Sequence, residues 1–211
     1  TVKLKKYNPI NRTSNIKIHL LQSLAKGEKM ELILQKSTEL GITSITPLAT
    51  ERSVMHLKKD QTEKRLERWN NIITSACEQC ELNIPPMLHA PISIENWIQD
   101  VLPTLNTTVI TLAPTAIHSL GSFLKAFSMP EHPHSEDNSA QEITEHSFTI
   151  VIGPEGGLTE DEIQALQDAG AKSVSLGQRI LRTETAALSV ISTIQGLIGD
   201  WSTMTEMAFE D

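Results

Sequence analysis

The chain has 211 residues, of which 39% are hydrophobic, a combination that suits one large globular domain or one domain with an appendage and excludes a disordered chain. No apolar run approaches the roughly 18 residues of a membrane-spanning helix, and the first ten residues lack the apolar core of a signal peptide, so we expect a cytoplasmic protein with no membrane partner. The net charge of −8 argues against indiscriminate binding to nucleic acid.

The charge is distributed unevenly along the chain. Residues 1–70 hold 14 of the 18 basic residues, and this end can meet a polyanion, although a solvated lysine-rich surface without a partner explains the same count. Beyond position 70 the only basic residues are Lys125, Lys172, Arg179 and Arg182. Two of these four stand three positions apart in one short segment.

Strand and helix patterns alternate in the first half of the chain. Residues 1–15 are basic and polar, and because the chain begins with Thr1 rather than methionine, we expect them to be a connector from a missing upstream domain. Apolar residues at i, i+3 and i+4 spacing from Met30 to Leu40 predict an amphipathic helix that stops at Gly41. The predicted elements are a strand at 16–20, a helix at 30–40, a strand at 42–48, a helix at 59–82, a strand at 87–90 and a helix at 93–101 capped by Ser93.

The second half continues the alternation around a polar insertion. Residues 128–147 are acidic and contain almost nothing that can pack. The predicted elements are strands at 107–112, 148–152 and 173–176 and helices at 115–127, 159–169 and 184–198, the second of them capped by Thr159. The sequence therefore predicts an α/β fold with a mostly parallel sheet flanked by helices, built from residues 16–201, with a C-terminal tail at 202–211.

Three further observations bear on chemistry and assembly. Cys77 and Cys80 form a CxxC late in a predicted helix, without a second ligand pair, so we expect two reduced thiols rather than a redox or zinc site. The seven histidines are scattered, and we assign no metal site. The final helix is apolar around more than one face, more than a single packing partner requires, which favours a homodimer.

Two unusual turns follow late strands, where α/β proteins place their ligands. The first is Gly153-Pro154-Glu155-Gly156-Gly157, in which three glycines allow positive φ and close backbone approach. It is neither a Walker A loop nor a GxGxxG motif, and a tight strand-to-helix turn explains the glycines equally well.

The second turn is LGQRILRTETA, residues 176–186. Thr183 and Glu184 stand where a cap and a first-turn acid would stabilise the following helix. That interpretation leaves Arg179 and Arg182 unexplained, and these cations can bind a phosphate or stabilise negative charge that develops on a base.

With these two turns the sequence closely resembles the ribosomal RNA small subunit methyltransferase E family, the uridine N3-methyltransferases of 16S rRNA in the SPOUT superfamily. Further matches are KGEKME at 26–31, QKSTELG at 35–41, TERS at 50–53, RW at 68–69 and EQ at 78–79, so that the resemblance covers residues 16–201. It implies a C-terminal trefoil knot that binds S-adenosylmethionine, a homodimer with active sites at the subunit interface, and an upstream PUA-like barrel. Glu81-Leu82-Asn83 stands where the family pattern has an arginine.

Given the uridine substrate and the cofactor that the resemblance implies, we assign roles to individual residues from their chemistry. Arg182 would face the charge on the uracil, Glu155 or Glu184 would orient groups or accept the N3 proton, and Arg52, Lys36 and Arg179 would bind RNA. The residues expected around S-adenosylmethionine are Leu112, Gly153, Pro154, Glu155, Gly156, Gly157, Leu176, Gly177, Ile180, Leu181, Thr185 and Ala186.

The expected substrate is 16S rRNA in the assembled 30S subunit. Two alternatives stay open at the level of sequence. One is a SPOUT methyltransferase that acts on another RNA, and the other is a non-catalytic RNA-binding assembly factor.

Overall fold

The computed structural model describes residues 11–53, 59–113, 116–127 and 146–202. Residues 1–10 of the predicted connector, Thr115 at the start of a predicted helix, residues 128–145 of the polar insertion and residues 203–211 of the tail lie outside this range. No helix within it is long and apolar enough to cross a membrane.

The described elements alternate between strand and helix. The strands are β1 (Lys17–Ser23), β2 (Ser44–Ala49), β3 (Met87–Leu88), β4 (Ile92–Ser93), β5 (Thr108–Leu112), β6 (Ser147–Ile152) and β7 (Lys172–Val174). The helices are α1 (Glu28–Glu39), α2 (Lys59–Cys80), α3 (Ile94–Asn96), α4 (Leu120–Leu124), α5 (Glu160–Asp168) and α6 (Thr183–Leu197). A π turn over Trp97–Val101 and a short 3-10 turn over Leu102–Thr104 extend α3, and a second 3-10 turn, Lys125–Phe127, extends α4.

The strands form one parallel sheet in the order β3-β2-β1-β6-β5-β7, with β4 also paired to β2. The central pair is β1 and β6, in which Leu20 lies opposite Ile150. The predicted α/β class with a mostly parallel sheet is confirmed.

Both faces of the sheet are covered, as a parallel sheet requires. Because side chains alternate between faces along a strand, Leu20 of β1 joins a large core under α1, α2, α4 and α6, whereas Leu21 joins a smaller core under α3 and α5. Trp97, which is fully buried, is the largest side chain of the smaller core.

Several predicted boundaries change. The helix predicted at 115–127 is the short α4, which begins after Ser119, whose side chain accepts a hydrogen bond from the Ser122 amide. Residues 116–118, just before the cap, are not helical. The strand predicted at 87–90 is shortened to the two-residue β3, and an unpredicted second strand, β4, follows it; both pair with β2.

The apolar circumference of α6 has an explanation within one chain. The helix contacts α1, α4, β6 and β1, and its buried residues include Ala187, Val190 and Ile191. Packing partners on several sides therefore account for the pattern that favoured a dimer, and the dimer needs other support.

The two cysteines lie in the last turn of α2 and are free thiols. Burial raises the pKa of Cys77, with the neighbouring Cys80 as a further cause. A raised pKa disfavours the reactive thiolate, which fits the predicted pair of unreactive thiols.

Candidate active site

A cleft of ≈ 300 Å³ opens at the carboxyl ends of β5, β6 and β7. Three loops meet there, one after each strand. Because ligands of open α/β sheets bind beyond the carboxyl ends of the strands, this is the expected place for a site. The residues that line it are Leu112, Ala113, Gly153, Pro154, Glu155, Gly157, Leu158, Ile163, Val174, Leu176, Gly177, Arg179, Ile180, Leu181 and Thr183.

The two unusual turns of the sequence thus border one cleft. Of the twelve residues expected around the cofactor, nine line it. The exceptions are Gly156, Thr185 and Ala186, and the last two belong to the first turn of α6, where Thr185 is exposed and Ala186 is buried.

The glycines of the first turn are not equivalent. A Cβ at Gly153 would lie 3.0 Å from the Leu158 backbone nitrogen, and Gly157 has a φ of +71°, which only glycine adopts easily. A Cβ at Gly156 would meet only the Arg52 side chain, at 3.4 Å. The shape of the loop therefore requires glycine at 153 and 157 and not at 156.

Thr183 connects three segments rather than capping the helix. It is the first residue of α6, whose N-cap is Arg182 without a side-chain cap bond, so the predicted cap is wrong. The buried Thr183 hydroxyl donates to the Gly153 carbonyl at 2.8 Å and accepts from the Gln22 side-chain amide at 3.0 Å. This hydroxyl links the start of α6 to the turn at residues 153–157, the glycine loop, and to the end of β1.

Lys29 lies between the two candidate acids. Its Nζ is 3.0 Å from Glu155 Oε1 and 3.8 Å from Glu184 Oε2. Glu184 Oε2 is buried and has no hydrogen-bond partner among the described residues. Lys29 is not among the site residues predicted from the sequence, although it lies in the KGEKME segment that carries part of the resemblance.

The surroundings of Glu155 favour its carboxylate. Partial burial raises the pKa of Glu155, but hydrogen bonds from its own amide, from Lys29 and from the Lys26 amide, together with the Lys29 charge, outweigh burial and lower the pKa below the ordinary value. A carboxylate stabilised in this way is a weak proton acceptor.

The cations of the second turn are differently placed. Arg179 lines the cleft, whereas Arg182 is exposed at the N-cap of α6 between two residues that line it. Ile180, also a lining residue, is 86% exposed. Within the described ranges, His, Cys, Asp and Glu form no group of three or more that could hold a metal ion.

The cations expected to bind RNA lie on different elements. Arg52 follows β2 and donates from Nη1 to the carbonyls of Gly156 and Leu158. Lys36 lies on α1, where it pairs with Glu39 at 2.8 Å, and it does not line the cleft.

Four apolar residues that line the cleft are not predicted from the sequence. Ala113, Leu158 and Ile163 directly follow or lie near residues already singled out, and Val174 ends β7. In the sequence, each of these residues has the pattern of an ordinary core position. Each becomes part of the cleft wall because three loops meet there.

Comparison with known proteins identifies the family. The model of the RNA methyltransferase domain matches residues 12–195. The ribosomal RNA small subunit methyltransferase E of Buchnera aphidicola from Acyrthosiphon pisum is 31% identical over 202 residues, which are 95% of this chain and 72% of that protein. The Bacillus subtilis protein of the same name is 34% identical, over 87% of this chain and 67% of that protein. The chain belongs to the ribosomal RNA small subunit methyltransferase E family.

Solved structures of methyltransferases share the fold. Ribosomal RNA small subunit methyltransferase E from Neisseria gonorrhoeae, bound to S-adenosylmethionine, is 33% identical with a TM-score of 0.74, and the match covers 92% of this chain and 71% of that one. A Legionella pneumophila methyltransferase in complex with the same cofactor is 37% identical with a TM-score of 0.72, over 90% and 70%. Membership of the methyltransferase E family confirms the resemblance carried by the two turns that form the cleft.

Proposed function

We propose that this protein transfers the methyl group of S-adenosylmethionine to N3 of a uridine in 16S rRNA, acting on the assembled 30S subunit in the cytoplasm. The observation that carries the proposal is the single cleft formed by the 153–157 and 176–183 loops, in a chain of the methyltransferase E family. Neither turn by itself would support the proposal as strongly.

The lining of the cleft fits the cofactor. Leu112, Leu176 and Ile180 offer an apolar surface to an adenine ring, and Gly153 and Gly157 expose backbone groups to the polar parts of the molecule. When bound there, S-adenosylmethionine supplies a methyl group activated by a sulfonium.

The remaining work falls to side chains near the cleft. Uracil N3 carries a proton at neutral pH, and its loss spreads negative charge onto O2 and O4. We assign Arg182 to face that charge and Arg179 to hold an adjacent phosphate. The uridine must be unpaired or flipped to expose N3.

We assign the role of proton acceptor to Glu184 rather than to Glu155. The lowered pKa of Glu155 makes it a weak base, and its contacts with Lys29 and backbone amides suit a role in holding the loop. Glu184 Oε2, by contrast, has no hydrogen-bond partner among the described residues and lies 3.8 Å from Lys29 Nζ.

The proposal also includes a homodimer and a trefoil knot. Ile117 is 94% exposed and Ile180 is 86% exposed, and the loops that carry them are joined at Ser119 and Ser175, which supports a homodimer that covers this region. A trefoil knot over the last third of the chain is supported by α6, which returns from the sheet edge at β7 to contact β6 and β1.

Mass-spectrometric mapping of rRNA from cells with and without the gene tests the reaction. We expect one uridine of 16S rRNA to lose an N3-methyl group when the gene is deleted. A change in a different RNA would favour the other methyltransferase, and a purified protein that fails to bind S-adenosylmethionine in calorimetry would favour the assembly factor.

A further inference from the structure

The turn at residues 50–53 lies directly against the glycine loop. Arg52 Nη1 donates to the Gly156 carbonyl at 3.1 Å and to the Leu158 carbonyl at 3.4 Å. The space that a Cβ at Gly156 would take is bordered by the Arg52 stem, with Cβ at 3.4 Å and Cδ at 3.6 Å. One side chain therefore packs along the outside of the loop and holds two of its carbonyls.

The turn that carries Arg52 is itself fixed. The Glu162 carboxylate accepts from the Glu51 amide at 2.9 Å through one oxygen and from the Thr159 amide at 2.8 Å through the other. Glu162 is 7% exposed. A single buried carboxylate thus joins the 50–53 turn to Thr159, the N-cap of α5 that follows the glycine loop. The position of Arg52 is therefore fixed relative to that loop.

The inside of the turn adds a second restraint. The hydroxyls of Thr50 and Ser53 lie 2.6 Å apart, and both residues are buried. The Ser53 amide also donates to the Thr50 carbonyl at 3.1 Å. These hydrogen bonds restrict the conformation of the turn and therefore the direction in which the Arg52 side chain projects.

We propose that Arg52 is a positioning residue for the cofactor loop rather than a contact for an RNA phosphate. By binding the carbonyls of Gly156 and Leu158 on the outer side, it keeps the Gly153 and Gly157 backbone turned toward the cleft. The inference rests on the proposed function, because it takes this loop to be the binding site for S-adenosylmethionine. It replaces the RNA-binding role that the sequence assigned to Arg52.

Arg52→Met is the variant that separates the two roles, because it keeps the apolar stem over Gly156 and removes the guanidinium. In calorimetry without RNA, we expect R52M to bind S-adenosylmethionine about ten-fold more weakly than the wild type, as for loss of hydrogen bonds to a charged donor. In turnover, the KM for S-adenosylmethionine should rise, with kcat recovered at saturation and the KM for 30S particles unchanged. Lys172→Met, which removes an exposed cation at the amino end of β7, away from the carboxyl ends where the cleft opens, is the matched control and should leave cofactor affinity unchanged.

Arg52→Lys keeps the charge and decides the matter if R52M folds poorly. A phosphate contact survives in R52K, whereas the paired carbonyl geometry of the guanidinium does not, so we expect cofactor affinity between those of the wild type and R52M. Cofactor affinity of R52M within two-fold of the wild type, or of R52K equal to the wild type where R52M folds poorly, would overturn the inference. A salt slope for RNA reduced by about one unit in R52M would then assign Arg52 to an RNA phosphate. Wild-type protein that does not bind the cofactor would instead refute the proposed function.

Discussion

At the scale of single residues, the glycine loop separates positions that share one residue type. Gly153, Gly156 and Gly157 are indistinguishable in sequence, yet a Cβ would collide with backbone at Gly153 and touch only the Arg52 side chain at Gly156. The cost of a substitution is decided by what the added atom meets. The two arginines of the second turn also differ in position, because Arg179 lines the cleft and Arg182 is exposed at the N-cap of α6.

We predict that Gly153→Ala weakens binding of S-adenosylmethionine at least ten-fold, because its Cβ would lie 3.0 Å from the Leu158 backbone nitrogen, closer than ordinary contact, so that the loop must adjust. Gly156→Ala is the matched control and should bind within about three-fold of the wild type, since its Cβ meets Arg52 at ordinary contact distance. Calorimetry measures both, with thermal unfolding as a check of folding. Equal affinity of the two variants would show that this loop does not contact the cofactor.

Arg182→Ala should lower the single-turnover rate of methylation by roughly 100-fold or more with cofactor affinity little changed, by analogy with the loss of one oxyanion donor. Arg179→Ala should mainly raise the concentration of 30S particles needed for half-maximal rate, because a phosphate contact contributes to binding. Rapid-quench assays at saturating 30S particles measure the difference. An R182A variant that keeps the saturated rate would reassign Arg182 to RNA binding.

At the scale of elements, the site depends on bonds that join loops from distant strands. Thr183 links the start of α6 to Gly153 after β6 and to Gln22 on β1. Lys29 near the start of α1 holds Glu155 on the same loop. Strands that are neighbours in the sheet but distant in the chain bring these loops within hydrogen-bond reach.

We predict that Thr183→Val lowers the free energy of unfolding by about 1–3 kcal/mol, because it leaves the buried Gln22 amide and the Gly153 carbonyl without their shared partner. Thr183→Ser keeps the hydroxyl and should retain most of that stability. Chemical denaturation of the three proteins provides the comparison. Equal stability of T183V and T183S would mean that the hydroxyl bonds contribute nothing net.

The Lys29–Glu155 pair should make stability depend on pH on the acid side. The pKa of Glu155 is lowered from an ordinary value of 4.5, so its contribution is fully present above about pH 4.5 and is lost as pH falls through the folded-state pKa. Melting temperatures between pH 7 and 3 should therefore fall less steeply for Glu155→Gln than for the wild type. Glu78→Gln, at an exposed position on α2, is the control, and an identical acid limb for E155Q and the wild type would contradict the assignment.

At the scale of the whole molecule, the distribution of exposed apolar residues is the remaining support for a dimer. The apolar circumference of α6 is used within the chain, but Ile117 and Ile180 stand exposed on adjoining loops, and Ile180 lines the cleft. Large apolar side chains left in water at a functional cleft are typical of an interaction surface.

We predict that the protein sediments at about twice its chain mass of 23.3 kDa at micromolar concentration and that Ile117→Asp shifts it to the monomer, because a buried unpaired carboxylate opposes association. Ile84→Asp, at an exposed apolar position that follows α2 and is not among those lining the cleft, should leave the dimer intact. Analytical ultracentrifugation measures all three. A wild-type monomer would remove the dimer from the proposal.

Local sequence determined the elements and the turns that matter. Strand and helix periodicity is a property of neighbouring residues, which is why the alternation, the Thr159 cap and the stop at Gly41 agree with the structure. The two turns were found for the same reason, since glycine content and a pair of arginines in an acidic stretch are visible along the chain. Family resemblance then indicated that both turns serve one ligand.

Tertiary structure alone decided which distant residues surround those turns. Arg52 reaches a carbonyl 104 positions away, and Lys29 reaches a carboxylate 126 positions away. No local pattern encodes these pairs, because they depend on β6 lying beside β1 in the sheet order. The same order explains why Arg52, which we expected to bind RNA, lies against the 153–157 turn, and why a helix with apolar residues on several sides is packed by its own chain.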